Sequence, residues 1–244
     1  MSATWTVFRR EWGSCLATPV AYVFTVIFLM LAAALPFYLG GYFERGQSDL
    51  QPFFAFHPWL YLFIVPALAM RLWAEERASG TIEVLLTLPL PTWQVVLGKF
   101  LAAWCFLGVA LVLTFPMWLT VNYLGHPDNG VIAASYIGSW LMAGAFLAVG
   151  QCLSAATRNQ VVAFILTAAV CFVFLLMGYP LVQEVVRALL PAALADAIAQ
   201  LSFLAHFEAI ARGLLDLRDV AFFTLAIVAW LLACVLVVER RKAD

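Results

Sequence analysis

Apolar residues along this chain do not alternate with polar ones but gather into long runs separated by short polar stretches. A helix crossing ~30 Å of hydrocarbon needs roughly 20 mostly apolar residues, and the helix satisfies its own backbone N–H and C=O groups where no water can. Six runs qualify, at 19–40, 53–73, 100–121, 131–153, 161–179 and 220–238. The expected fold is therefore an all-α polytopic membrane protein with six transmembrane helices. The second run is the weakest, because His57 and Pro58 interrupt its start and Pro66 removes a ladder N–H from its middle. Its outer end is expected to be irregular.

The segments between the runs carry patterns of their own. Before the first run, Trp5, Phe8, Trp12, Cys15 and Leu16 recur at spacings of three and four, which predicts an amphipathic helix over 2–17 lying in the cytoplasmic interface. Anchoring the first span and binding a partner are both open roles for it. The stretch 74–99 is longer than a connection requires. Gly80 as N-cap, Glu83 at the N3 position, an apolar face of Ile82, Leu85 and Leu86, and the stops Pro89 and Pro91 predict a short helix within 76–90. Flanked by Glu75, Glu76 and Arg77, it would offer a docking surface across the mouth of the bundle, although residue chemistry alone favours a solvated loop. Over 180–219, Leu181, Val185, Leu189 and Leu190 predict one amphipathic helix ended by Pro191, and Leu194, Ile198 and Leu201 a second. Both are too short to span, so they are expected to lie at the outer leaflet or dip into it as a cap.

Composition sharpens this picture. Hydrophobic residues make up 65% of the 244 and charged residues only 11%, too apolar for a soluble domain to hide. The net charge of −1 gives no basic face for nucleic acid. With the N-terminus inside, Arg9, Arg10, Arg71, Arg77, Lys99, Arg158, Arg240, Arg241 and Lys242 fall on the cytoplasmic side, and only Arg45, Arg187, Arg212 and Arg218 fall outside. Both termini are expected to be cytoplasmic. Arg9 and Arg10 precede the first run as in a signal peptide, but the run exceeds a usual h-region and has Tyr22 and Tyr38 near its ends, so it is expected to remain as a span. Cys15, Cys105, Cys152, Cys171 and Cys234 stand singly, with no CxxC and no His at ligand spacing, and read as small hydrophobes.

Chemistry is sparse. The spans have almost no ionisable residue near their centres, which disfavours ion-driven transport. There is no HExxH and no GxSxG; His126 with Asp128, or His206 with Glu208, are the residues a membrane hydrolase would have to use. Gly98-Lys99 is not the end of a phosphate-binding loop, because Phe100 follows and no Gly lies five residues before Gly98. With no ATP site in the chain, energy for uphill transport must come from another subunit.

The stretch Ala74-Glu75-Glu76-Arg77-Ala78-Ser79-Gly80-Thr81-Ile82-Glu83-Val84-Leu85-Leu86-Thr87-Leu88-Pro89, followed by Gly98-Lys99 at the start of a span, resembles the permease subunits of ABC-2 type transporters, which have a type V exporter-like transmembrane domain. A second stretch, Leu201 and Ser202 through His206, Phe207 and Glu208 with Arg212, Gly213 and Asp219, resembles the outer loop of the GldF branch, close to the NosY branch. The resemblance covers essentially the whole chain. It implies that 76–90 is a coupling helix, with Glu75, Glu76, Arg77, Gly80, Thr81, Ile82, Glu83, Leu85 and Leu86 facing a separate cytoplasmic ATPase and Arg158 in a smaller second contact. It implies that ATP and Mg are bound by that partner, with no cofactor in this chain. It further implies a second permease subunit, identical or paralogous, a GldG-like auxiliary protein with an extracytoplasmic domain, and a place in the bacterial inner membrane. The alternative is a membrane scaffold that passes ATPase-driven movement to an outer partner without moving a substrate.

Overall fold

The computed structural model describes residues 3–41, 49–78, 80, 91–213 and 216–240, and every regular element among them is a helix. In chain order these are α1 (Ala3–Ala17), α2 (Pro19–Tyr38), α3 (Gln51–Ala55), α4 (His57–Ala69), α5 (Arg71–Ala78), α6 (Thr92–Val112) and α7 (Phe115–Leu124). They continue as α8 (Asn129–Ala156), α9 (Gln160–Leu176), α10 (Pro180–Leu189), α11 (Ala192–Gln200), α12 (Phe203–Ala211) and α13 (Leu217–Arg240). Four stretches among the described residues are long and apolar enough to cross a membrane: Ala21–Tyr38, Thr92–Leu124, Asn129–Ala156 and Leu217–Arg240. The number rises to six if two bent pairs each count as one span: α9 with α10, bent by 78°, and α11 with α12, bent by 62°.

α8 is the axis of the bundle, packed against α4, α5, α6, α9, α12 and α13. Small residues make that crowding feasible, since they let helix backbones approach closely where lipid supplies no hydrophobic drive for packing. Two glycines show how. The Trp104 and Trp140 rings stack 4.1 Å apart between α6 and α8, and each indole N–H donates to the other's backbone carbonyl, at 2.9 and 3.3 Å. A Cβ on Gly144 would lie 2.6 Å from Trp104 Nε1, and one on Gly108 would lie 2.9 Å from Trp140 Nε1. Each indole thus lies against a glycine one turn beyond its partner tryptophan.

The 53–73 run is not one helix. It is divided at Phe56 and Met70 into parts of α3, α4 and α5, and the 13-residue α4 is only ~20 Å long, too short to cross alone. His57 opens α4 in a box of Phe28, Phe53, Phe54 and Tyr61, and its Nδ1–H donates to the Phe53 carbonyl at 2.9 Å. Ten of the 13 residues in α4 are buried, so the interrupted backbone is enclosed by protein, the condition under which irregular backbone survives at membrane depth.

Other boundaries also move. α6 begins at Thr92, well before the expected start at 100, so Lys99 belongs to a helix and not to a connecting loop. The 180–219 segment holds three short helices, α10 to α12, where the pattern of leucines predicts two. On α10, Leu181, Val185 and Leu189 form an exposed apolar stripe, and no residue of that helix is buried.

Candidate functional site

The end of the bundle where α5, α6, α8 and α9 meet is organised around Lys99. This side chain sits two turns into α6 and is 1% exposed. Its Nζ donates to Glu76 Oε1 on α5 at 2.8 Å and to Glu11 Oε1 on α1 at 3.1 Å, and it lies 5.3 Å from the centre of the Trp73 ring. Arg10 adds a looser pairing with Glu76 at 3.9 Å. A buried ammonium is tolerated when it is both paired and hydrogen-bonded, and here two carboxylates from different helices supply both. Gly98 makes this contact accessible to α1: a Cβ at that position would lie 2.9 Å from the Val7 side chain and 3.0 Å from the Thr4 carbonyl. In the Gly98-Lys99 pair, one residue makes room for α1 and the next fixes it.

The buried face of α1 consequently carries Val7 and Glu11. Trp5, Phe8 and Trp12 form a stacked ladder with ring centres 5.2 and 6.0 Å apart, and Trp5 is exposed. The aromatic stripe expected from the periodicity is present, but the face that packs on the protein is the neighbouring one.

α5 is held by α8 as well. Ser154 Oγ donates to the Met70 carbonyl at 3.0 Å and accepts from the backbone N–H groups of Trp73 and Ala74 at 3.2 and 3.1 Å. Those amides are in the first turn of α5, where a helix has no internal partner for them, so Ser154 caps α5 from across the bundle. Gln151 Nε2 donates to the Val96 carbonyl at 2.9 Å and joins α8 to α6. Arg71 grips Glu75 through two bonds of 2.8 and 3.1 Å, and this hydrogen bonding holds the Glu75 carboxyl below its usual range. A cleft of about 310 Å³ opens beside these groups, lined in part by Arg10, Glu11, Arg71, Glu75, Glu76 and Lys99 and in part by apolar side chains such as Phe24 and Leu68.

Among the residues expected to face an ATPase, Glu75, Glu76 and Arg77 lie together on α5, and exposed Arg158 lies in the turn between α8 and α9 at the same end. Glu76 points inward to Lys99. Gly80 has φ +71, the left-handed backbone typical of the residue that stops a helix, and its N–H approaches the Arg77 carbonyl at 3.4 Å. It therefore follows α5 as a terminator, and an N-cap's extended backbone is not what it adopts. Thr81, Ile82, Glu83, Leu85 and Leu86 lie outside the described residues. Lys99 and Glu11 were not singled out for this site from the sequence; the available signal was a lysine flanked by apolar residues on both sides.

At the opposite end, the second motif comes together. His206 on α12 meets Asp219 on α13 at 2.5 Å, Phe207 is 2% exposed, and Glu208 pairs with Arg212 at 3.4 Å. Gly213, with φ +86, ends that turn, and a Cβ there would lie 2.7 Å from Val131 on α8. These contacts redistribute the residues a hydrolase would need: His206 is joined to Asp219 and not to Glu208, while Asp128 caps α8 by accepting from Gly130 and Val131 N–H groups at 2.8 and 3.3 Å. Along the side of the bundle, α2, α4 and α9 leave an apolar groove of about 430 Å³ lined by Ile27, Leu31, Leu60, Phe63 and Val161, among others.

The helices and their packing define a polytopic, all-α membrane protein. Residues 5–240 match the family described as ABC-2 family transporter protein, and the chain belongs to that family. No curated protein matches it. Membership supports a permease subunit of an ABC transporter, implies an ABC ATPase partner, and gives no sign of an enzyme family.

Proposed function

We propose that this permease couples to its ATPase through α5 and the segment that follows it, with Arg158 in a second, smaller contact, and that both termini face the cytoplasm. One observation carries the reading: α5 is bound to α1 and α6 through Lys99 and to α8 through Ser154, so a force applied just beyond Ala78 is delivered to three other helices at once. A loop that merely connected two spans would need no such attachment. The Lys99 cluster serves as the fixed root of a lever, and the 76–90 segment, with Glu83, Ile82, Leu85 and Leu86, seats in the ATPase. ATP and Mg belong to that partner.

The apolar groove between α2, α4 and α9 is covered by a second permease subunit. Phe63 and Val161 are 62% and 63% exposed on its lining, and no polar or charged side chain interrupts it. The likeness of the outer motif supports a reading in which the chain belongs to the GldF/NosY-like branch in the bacterial inner membrane, with a GldG-like protein over the cap.

The test is co-purification with a cytoplasmic ABC ATPase partner, followed by ATP hydrolysis in the complex. Glu83→Arg and Leu86→Asp are expected to lower stimulated hydrolysis at least ~tenfold, the scale of one buried unpaired charge in a docking surface, while membrane insertion is retained. If both variants bind and stimulate like the parent, the coupling assignment is wrong.

A further inference from the structure

The outer helices are linked in series by polar contacts. Arg187 on α10 pairs with Asp196 on α11 at 3.3 Å, the backbone carbonyl of Gln200 at the end of α11 meets His206 Nε2 at 2.9 Å, and His206 Nδ1 meets Asp219 Oδ1 at the first turn of α13. The His206 ring also stacks on Phe222, with centres 4.0 Å apart. Both partners at the last link are shielded, with side chains 20% and 11% exposed.

The proton count at His206 follows from this geometry. A carbonyl oxygen only accepts, so the contact with Gln200 requires hydrogen on Nε2. A neutral ring with that hydrogen presents a lone pair at Nδ1, and an ionised Asp219 presents another lone pair to it. The two contacts are both hydrogen bonds only when the pair holds one proton more than a neutral imidazole and a carboxylate. That proton sits on Nδ1 or on Asp219; transfer between the two atoms keeps both bonds, whereas loss to solvent turns one of them into acceptor against acceptor.

We propose that this shared proton is a latch for the outer cap. With it bound, α12 and the end of α11 are held to α13, and through Arg187 and Asp196 the exposed apolar stripe of α10 is held with them. When the proton leaves, one link opens and the cap loosens. Closure takes up a proton, so falling pH favours the closed cap and rising pH the loose one. The nearby charges are Glu208 paired with Arg212, Asp196 paired with Arg187, Asp216 bonded to the Arg218 backbone N–H, and the exposed Arg218 side chain next to Asp219. The helices that pack on α12 from the other sides, α3, α8 and α9, contribute no acidic or basic side chain, and their titratable groups are Tyr136, Cys152 and Cys171. On the orientation proposed above, the latch responds to extracytoplasmic pH.

Amide hydrogen exchange on the full chain in lipid nanodiscs, corrected for the intrinsic pH dependence of exchange, tests the latch. Between about pH 5 and about pH 8, where histidine changes charge, protection across α12 is expected to fall about tenfold, the scale of one charge-assisted hydrogen bond. Asp219→Asn is the diagnostic variant: its amide donates to Nδ1 of a neutral ring while Nε2 still donates to Gln200, so protection should persist at both pH values and its pH dependence should vanish. The chain has three histidines, so ¹⁵N-histidine spectra, with His206 assigned by its loss in His206→Gln, report the same proton in the parent protein. The idea is overturned if α12 protection and the His206 resonances are both unchanged across the range, or if Asp219→Asn keeps the parent's pH dependence.

Discussion

The Lys99 end and the His206 end of this bundle are both closed by side chains drawn from separate helices, yet the two closures differ in kind. At Lys99 an ammonium with 1% exposure is met by two carboxylates from different helices, and the backbone of α5 is capped by Ser154, so the junction is held from several sides at once. At His206 the link is a single imidazole whose bonding depends on one exchangeable proton, and the helices it holds are short, α10 and α11 largely exposed and α12 packed by its buried face against α8. The first arrangement suits a root that must transmit force without yielding. The second suits a cover that must open. The comparison teaches that a buried group paired to several helices rigidifies a junction, while a link through one side chain leaves it adjustable.

The largest expected effect breaks the root. Lys99→Met leaves Glu11 and Glu76 facing one another without the ammonium that joins them, and thermal unfolding in detergent is expected to show a loss of about 3 kcal/mol, the scale for removing one partner from a buried pair. Adding Glu11→Gln and Glu76→Gln should recover part of it. Protection of α12 should be unaffected, and a parallel loss at the cap would mean that the two ends are not independent.

Ser154→Ala ranks next. It leaves the Trp73 and Ala74 amides and the Met70 carbonyl without their hydroxyl partner, at a cost of about 1–2 kcal/mol. Faster amide exchange confined to α5 is the expected signature. ATPase stimulation should weaken while binding persists, because the lever is loosened at its root and not at its tip; unchanged stimulation would remove Ser154 from the coupling route.

The smallest effect concerns Glu75. Its carboxyl is held below the usual range by the Arg71 hydrogen bonds, so its contribution is present above the ordinary carboxylate range and is lost as pH falls through its depressed value. The pair is partly exposed, which limits the gain to a few tenths of ~1 kcal/mol. Glu75→Gln should therefore lower stability slightly at neutral pH and flatten its decline in acid.

The sequence by itself determined the class of the molecule. Runs of about 20 apolar residues leave no alternative to helices in lipid, so the all-α character and the amphipathic segments at both ends were legible from spacing, while the family was suggested only by the resemblance of two stretches. His57 and Pro58 also marked the break at Phe56, whereas Pro66, expected to kink the run, lies within α4 and the second break falls at Met70. Tertiary structure alone decided which residues meet. Lys99 reads as one more positive charge near a membrane edge until α1 is seen lying against Gly98, and only then do Glu11 and Glu76, 88 and 23 residues away, become its partners. Asp219 was part of a motif without a role until the turn after α12 brought it to His206. Periodicity reports which face of a helix is apolar, whereas a buried ion pair depends on how close two helix axes come, and that distance is set by the small residues packed between them.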